Sequence, residues 1–161
     1  MIRDAEKTII LYATKHGAAA EIARRIADMI SGAVVHDLKH NNIPDLAGFD
    51  CVIIGSSVYA GMFRKEAKAF LSQNAEVLKN KTLGLYVSGM SQNEGKKIFA
   101  DNVPNDVLDS AKTAVSLGGI FDPKKAGFFE RLIMKVAAKQ SDYSDTIDND
   151  RIKEFVEVMK A

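Results

Sequence analysis

With 161 residues, 47% of them apolar, and a formal net charge of +1, the chain has material for one ordinary core and no global field to draw a polyanion. That balance argues against intrinsic disorder and against nucleic acid as a partner. The single cysteine, Cys51, sits inside an apolar run, has no partner for an intrachain disulfide and reads as a small core hydrophobe.

The opening residues MIRDAEKT lack an apolar signal core, and no stretch approaches the roughly 18 apolar residues of a spanning helix. The expected location is therefore cytoplasmic. Ile9, Ile10, Leu11 and Tyr12 form an apolar strand that breaks into Ala13-Thr14-Lys15-His16-Gly17. A helical pattern starts at once, with Ile22, Ala23, Ile26, Met29 and Ile30 on one face and Gly32 as its stop. A strand, a tight polar loop and a helix N-terminus make an anion site. The first-turn N–H groups lack intrahelical partners, and the aligned peptide dipoles add roughly half a positive charge there. A phosphate is the expected guest, with Thr14 as a hydroxyl donor and Gly17 allowing a close turn.

Residues 33–38 predict a second strand, followed by a polar loop with Asn41, Asn42 and Pro44. Residues 50–55 predict a third, whose continuous apolar core suits a strand covered on both faces. Phe63, Ala67, Phe70, Leu71 and Leu78 mark the next helix, and residues 82–88 a fourth strand. Pro104, with Val107, Leu108 and Ala111, predicts a helix with proline near its first turn. A fifth strand is expected over 114–121, then an apolar segment over 128–138 and the acidic stretch SDYSDTIDND. A last helix carries Ile152, Phe155, Val156 and Met159. Alternating strands and helices predict a doubly wound, mostly parallel α/β sheet in one domain spanning 1–161. Ligands in such sheets bind beyond the carboxyl ends of the strands, so the loops after strands one, three and four face the ligand together.

Other constellations carry less chemistry. His36 and His40 lack nearby cysteine or carboxylate ligands and read as a solvated loop, so no metal site is expected. Ser56-Ser57 has no histidine partner in the pattern, and Asp142, Asp145, Asp148 and Asp150 lack the glycine and glutamate of a calcium loop. No side chain reads as a catalytic acid, base or nucleophile.

The three ligand-edge loops resemble those of the flavodoxin family. The resemblance covers nearly the whole chain and implies a three-layer sandwich, a five-stranded parallel sheet of order 2-1-3-4-5 with helices on both faces and FMN at the switch point. The segment IILYATKHGAAAEIA is similar to the family's phosphate signature, which implies phosphate contacts from Thr14, Lys15, His16, Gly17, Ala18 and Ala19. The family usually has threonine where Ala19 stands. A hydrogen bond to a charged group is worth roughly 1.5 to 3 kcal/mol, so the resemblance implies looser retention of FMN. Lys15 or His16 compensates if its side chain turns inward rather than to water.

The segment IIGSSVYAGMFRKEAKAFL is similar to the family's loop after strand three. It implies contacts from Ser56, Ser57, Val58, Tyr59, Ala60 and Gly61, with Tyr59 stacked on the isoalloxazine. Gly61 leaves a peptide flip sterically open; the alternative for Tyr59 is an aromatic packed under a loop. The segment YVSGMSQNEG implies polar contacts to the pyrimidine end from Ser88, Gly89, Met90, Ser91, Gln92 and Asn93.

Within the family, FFERLIMKVAAKQSDYSDT resembles the quinone-dependent protoporphyrinogen oxidases, although Gln140-Ser141-Asp142 stands where that group has a Gly-Gly turn. The function implied is an FMN-binding redox protein exchanging electrons with a partner protein, a quinone or an anionic small molecule. The alternatives are a quinone-linked protoporphyrinogen oxidase of heme biosynthesis and, from a different class, a flavin-free interaction module. In residues 124–139, Phe128, Phe129, Leu132 and Ile133 lie near Lys124, Lys125, Arg131, Lys135 and Lys139. They either seal the sheet or form a lip for a hydrophobic substrate or a peripheral contact at the inner face of the membrane. Lys15, His16, Arg64, Lys65, Lys96, Lys97, Lys124 and Lys125 fall in or beside the ligand-edge loops. They make either a basic rim for an anionic partner or a scatter of solvated cations.

Overall fold

Along β1 (Thr8–Ala13) side chains alternate between two buried faces, Ile9 and Leu11 entering one core and Ile10 the other. This is the period-2 rule applied to a strand covered on both sides. In the computed structural model, residues 6–89, 95–121 and 144–161 are described. The chain runs from β1 through α1 (Ala18–Asp28), β2 (Val34–Asp37), a 3₁₀ turn (Leu46–Gly48), β3 (Cys51–Tyr59), β4 (Met62–Phe63), α2 (Lys65–Gln73) and α3 (Ala75–Leu78). Then follow β5 (Thr82–Ser88), α4 (Gly95–Asn102), α5 (Asn105–Ser110), β6 (Thr113–Ser116), β7 (Ile120–Phe121), β8 (Ser144–Asp145) and α6 (Asn149–Lys160).

The main sheet has the order β2-β1-β3-β5-β6 with every neighbour parallel, which is the predicted 2-1-3-4-5 order once the short β4 is set aside. Register aligns the carboxyl ends of the central strands: Ala13 pairs with Ser56, and Ser57 with Ser88. Ile22, Ala23 and Ile26 of α1 share one core with Ile152, Phe155 and Met159 of α6. Phe70 and Leu71 of α2, Ile98 and Phe99 of α4 and Val107 of α5 fill the other. The sheet is thus the middle of three layers.

Three predicted elements are subdivided. The helix expected through Leu78 breaks at Asn74, whose backbone N–H and side-chain Nδ2 both donate to the Phe70 carbonyl. The loop expected after strand three is instead a hairpin: β3 runs on to Tyr59, and β4 returns antiparallel, pairing Tyr59 with Met62 and Val58 with Phe63. Its two turn residues both have positive φ, Ala60 at 51° and Gly61 at 76°, as a type I′ turn requires. The fifth strand stops at Ser116, because Gly118 adopts a φ of 87° and Ile120–Phe121 pair antiparallel with Ser144–Asp145 in a separate ribbon.

Candidate functional site at the carboxyl edge of the sheet

The loop from Thr14 to Gly17 joins β1 to α1. Gly17 has a φ of 101°, which a side chain disfavours, and its N–H donates to Thr14 Oγ1 at 2.9 Å. Helical bonding begins with Glu21 N–H to the Gly17 carbonyl at 2.9 Å. The N–H groups of Ala18, Ala19 and Ala20 precede it in the first turn and have no i−4 carbonyl within the helix. These first-turn N–H groups therefore face the turn at the start of α1. The Ala19 side chain, however, is fully buried and packs in the core beneath α1, so its loop-facing asset is its backbone. The Ala19 carbonyl in turn accepts the Tyr86 hydroxyl at 2.8 Å.

The second loop leans on the first. Lys15 N–H donates to Ser57 Oγ at 3.0 Å, and the Lys15 ammonium stands 4.3 Å from the centroid of the Tyr59 ring. This cation over an aromatic face is electrostatically favourable. Adjacent strand residues face opposite sides, which separates the roles of Ser56 and Ser57. Ser56 is fully buried; its hydroxyl donates to the Ser57 carbonyl and accepts the Arg64 N–H at 2.9 Å, so it is spent on holding the start of α2. Ala60 is exposed at the hairpin tip.

The third loop begins where β5 ends. Ser88 is buried, and its Oγ has no hydrogen-bond partner among the described residues. An orphaned buried hydroxyl at the carboxyl end of a strand, level with Ser57, is what a polar ligand resting there would satisfy. Gly89 lies against Val58, so the second and third loops touch. Met90, Ser91, Gln92 and Asn93 lie outside the described residues, as does the segment 124–139. Arg64 Nε is likewise buried without a partner among the described residues.

Five supporting residues carry weak sequence signals or none. The Tyr86 ring covers Gly55 so closely that a Cβ there would sit 1.9 Å from Tyr86 Cζ; an isolated glycine in an apolar strand is the one hint of such an approach. Burial, before the nearby Tyr12, pushes the Tyr86 phenol far above its ordinary range, so it stays a neutral donor. Gly118 and Thr146 meet at the third loop, where Gly89 N–H donates to the Gly118 carbonyl at 3.1 Å and Thr146 N–H to the Gly119 carbonyl at 2.7 Å. Asn102 grips the β3–β4 hairpin from α4. His36 Nε2 lies 3.2 Å from the His40 carbonyl, a contact within one turn.

A family model described as "Flavodoxin domain" matches residues 9–148, spanning all three loops. The chain belongs to the flavodoxin-domain family. Among solved structures it is similar to a flavodoxin from Streptococcus pneumoniae TIGR4, at 19% identity and a TM-score of 0.57, covering 95% of this chain and 97% of that one. It is also similar to a mutant flavodoxin from Fusobacterium nucleatum bound to flavin mononucleotide, at 17% identity and a TM-score of 0.53, with 97% and 96% covered. Rubredoxin oxygen:oxidoreductase from Desulfovibrio gigas matches at 16% identity and a TM-score of 0.57, covering 93% of this chain and 37% of that one, so the likeness is to a part of that larger protein. At these identities the likeness is one of fold. No curated protein sequence matches the chain. Among the described residues no helix is long and apolar enough to cross a membrane.

Proposed function

We propose that this flavodoxin-domain protein binds FMN noncovalently at the carboxyl edge of its sheet and exchanges electrons through it. The observation that carries this reading is the Lys15 bridge: its N–H on Ser57 and its ammonium over Tyr59 bring the phosphate-type loop and the aromatic hairpin into one site. The residues fit the group. Thr14 and the first-turn N–H groups of Ala18, Ala19 and Ala20 would hold the phosphate, Ser57 and Ser88 would take up polar atoms between, and Tyr59 with the hairpin would flank the ring. When bound, FMN supplies reversible electron transfer. This chain's own part is to orient it, keep water from one side and set the charge around it.

Titrating the purified protein with FMN, followed by visible absorbance and fluorescence, tests this directly. Saturable uptake with a perturbed flavin spectrum is expected. A chain that takes up none is the flavin-free interaction module instead.

For partners, the cations beside these loops favour an anionic one. Lys15, Arg64, Lys65, Lys96 and Lys97 lie in these loops or next to them in sequence, Lys97 also bonding Asp101 at 2.6 Å. The narrower reading, a quinone-linked protoporphyrinogen oxidase, rests on the sequence segment FFERLIMKVAAKQSDYSDT alone. Anaerobic mixing separates the two: flavin reduced by a tetrapyrrole precursor and reoxidised by a quinone supports the enzyme, whereas reduction only by a protein reductase supports a carrier.

A further inference from the structure

Asn102 closes α4 and is 5% exposed, although asparagine is a surface residue by preference. Its amide is fully engaged. Oδ1 accepts the Phe63 N–H at 3.0 Å, and Nδ2 donates to the Gly61 carbonyl at 2.9 Å and to the Ile98 carbonyl at 2.8 Å. Two of these three bonds reach the hairpin some forty positions earlier in the chain, one at its turn and one at its return strand. The ring of Phe63 meets Phe99 edge to face, 5.9 Å between centroids, so the contact between α4 and β4 is apolar as well as polar.

The hairpin needs such a tie. It projects beyond the parallel sheet, its ladder is two residue pairs long, and its turn places Ala60 in the left-handed region. An isolated two-stranded ribbon of that length is marginal in water, and a non-glycine residue at positive φ adds strain. The end of α4 offers the hairpin further partners through a side chain that can both donate and accept at fixed geometry, and an asparagine amide does so.

We propose that Asn102 is a positioning residue for the cofactor ring: by fixing the Gly61 carbonyl and the Phe63 N–H it sets the attitude of the 59–61 turn, and with it Tyr59, before FMN arrives. The tie also holds back the peptide flip that Gly61 leaves sterically open, since turning the Gly61 carbonyl away breaks its bond to Nδ2. Because α4 starts directly after the third loop, the same helix links the two loops expected to flank the ring. This inference rests on the FMN reading.

The test compares Asn102→Ala and Asn102→Asp with Leu78→Ala, a fully buried change in the α3 layer away from the edge. Amide hydrogen exchange at Gly61, Met62 and Phe63 is read in the protein without flavin, then FMN affinity and the flavin reduction potential. Expected is exchange at the hairpin at least tenfold faster in the Asn102 variants than in Leu78→Ala at matched thermal stability, with FMN affinity down about tenfold and a shifted potential. Asn102→Asp keeps the acceptor for the Phe63 N–H but sets a carboxylate against the Gly61 and Ile98 carbonyls, so Asn102→Ser, smaller and uncharged, is made alongside and a misfolded variant does not end the test. Hairpin exchange equal to that of Leu78→Ala, or faster exchange with affinity and potential unchanged, overturns the proposal. A wild-type chain that takes up no FMN overturns the cofactor reading and this inference with it, and that is seen before any variant is made.

Discussion

The Tyr86 hydroxyl crosses from the middle of the sheet to donate to the Ala19 carbonyl at 2.8 Å, tying β5 to the first turn of the helix that opens the phosphate-type loop. The tie passes over Gly55, and the Tyr86 ring is braced edge to face by Phe155, 6.3 Å between centroids. Tyr86→Phe removes one buried hydrogen bond and nothing else. The expected loss is about 0.5–1.5 kcal/mol of stability in a urea titration, with FMN uptake weakened in the same direction. Gly55→Ala is the harsher change, because the added Cβ would lie 1.9 Å from a ring atom that cannot swing away. Overpacking of this kind costs typically about 1–3 kcal/mol, and a Gly55→Ala protein as stable as wild type would show that the ring is not held there.

At Gly118 the backbone itself is in the way. Its φ is 87°, and a Cβ would approach the Thr146 carbonyl oxygen to 1.9 Å, whereas at Gly32, with a φ of 73°, a Cβ would meet nothing within 4 Å. Both Gly→Ala variants carry the left-handed penalty of about 1–2 kcal/mol. Only Gly118→Ala must also displace Thr146. Its thermal midpoint is therefore expected below that of Gly32→Ala, with faster exchange at the Gly89 N–H that the Gly118 carbonyl accepts. Equal midpoints would mean that the Gly118–Thr146 clasp is not what holds the third loop.

Stability at acid pH has a local handle in the first turn of α1. The Arg24 side chain, hydrogen-bonded to Glu21, holds that carboxyl below its ordinary range; burial opposes the shift and Arg25 adds to it. A carboxylate with a folded-state pKa below its unfolded value stabilises the fold fully above the unfolded value, and loses that contribution as pH falls through the folded one. Thermal midpoints measured from pH 6 down to 3 are expected to drop once the pH falls below the unfolded glutamate value of about 4.3, and Glu21→Gln to drop less steeply. Parallel acid limbs for the two proteins would remove Glu21 from the account.

The order of elements was legible because strands covered on both faces read as unbroken apolar runs and helices keep their 3.6-residue stripe. What escaped were features made by single residues. Ala60 hides a hairpin, since a type I′ turn normally announces itself with asparagine or glycine in that position. Gly118 ends a strand that its apolar neighbours extend on paper, the glycine pair being the only warning. The tight turn between β1 and α1 was readable from spacing and resemblance. The inward packing of Ala19 was not, because which face a first-turn residue presents depends on how the helix docks. Asn102 gave no signal at all: an amide before Val-Pro looks like a loop residue until the hairpin is seen beneath it.

Lys15 offers two interactions that mutations separate. Its N–H bond to Ser57 belongs to the backbone and survives Lys15→Met, while its ammonium over Tyr59 does not. Ser57→Ala does the reverse, leaving the cation in place and removing the acceptor that fixes the loop against β3. One hydrogen bond of about 0.5–1.5 kcal/mol corresponds to a two- to tenfold rise in the FMN dissociation constant, and this loss is expected to be insensitive to salt. The charge behaves differently. Lys15 is exposed, so its attraction for a bound phosphate is screened within about 8 Å at physiological ionic strength. FMN affinity of the unmutated protein is therefore expected to fall with added salt more steeply than that of Lys15→Met, the two converging near 1 M, where the screening length is about 3 Å. Identical salt slopes would mean that Lys15 acts on Tyr59 alone and does not reach the phosphate.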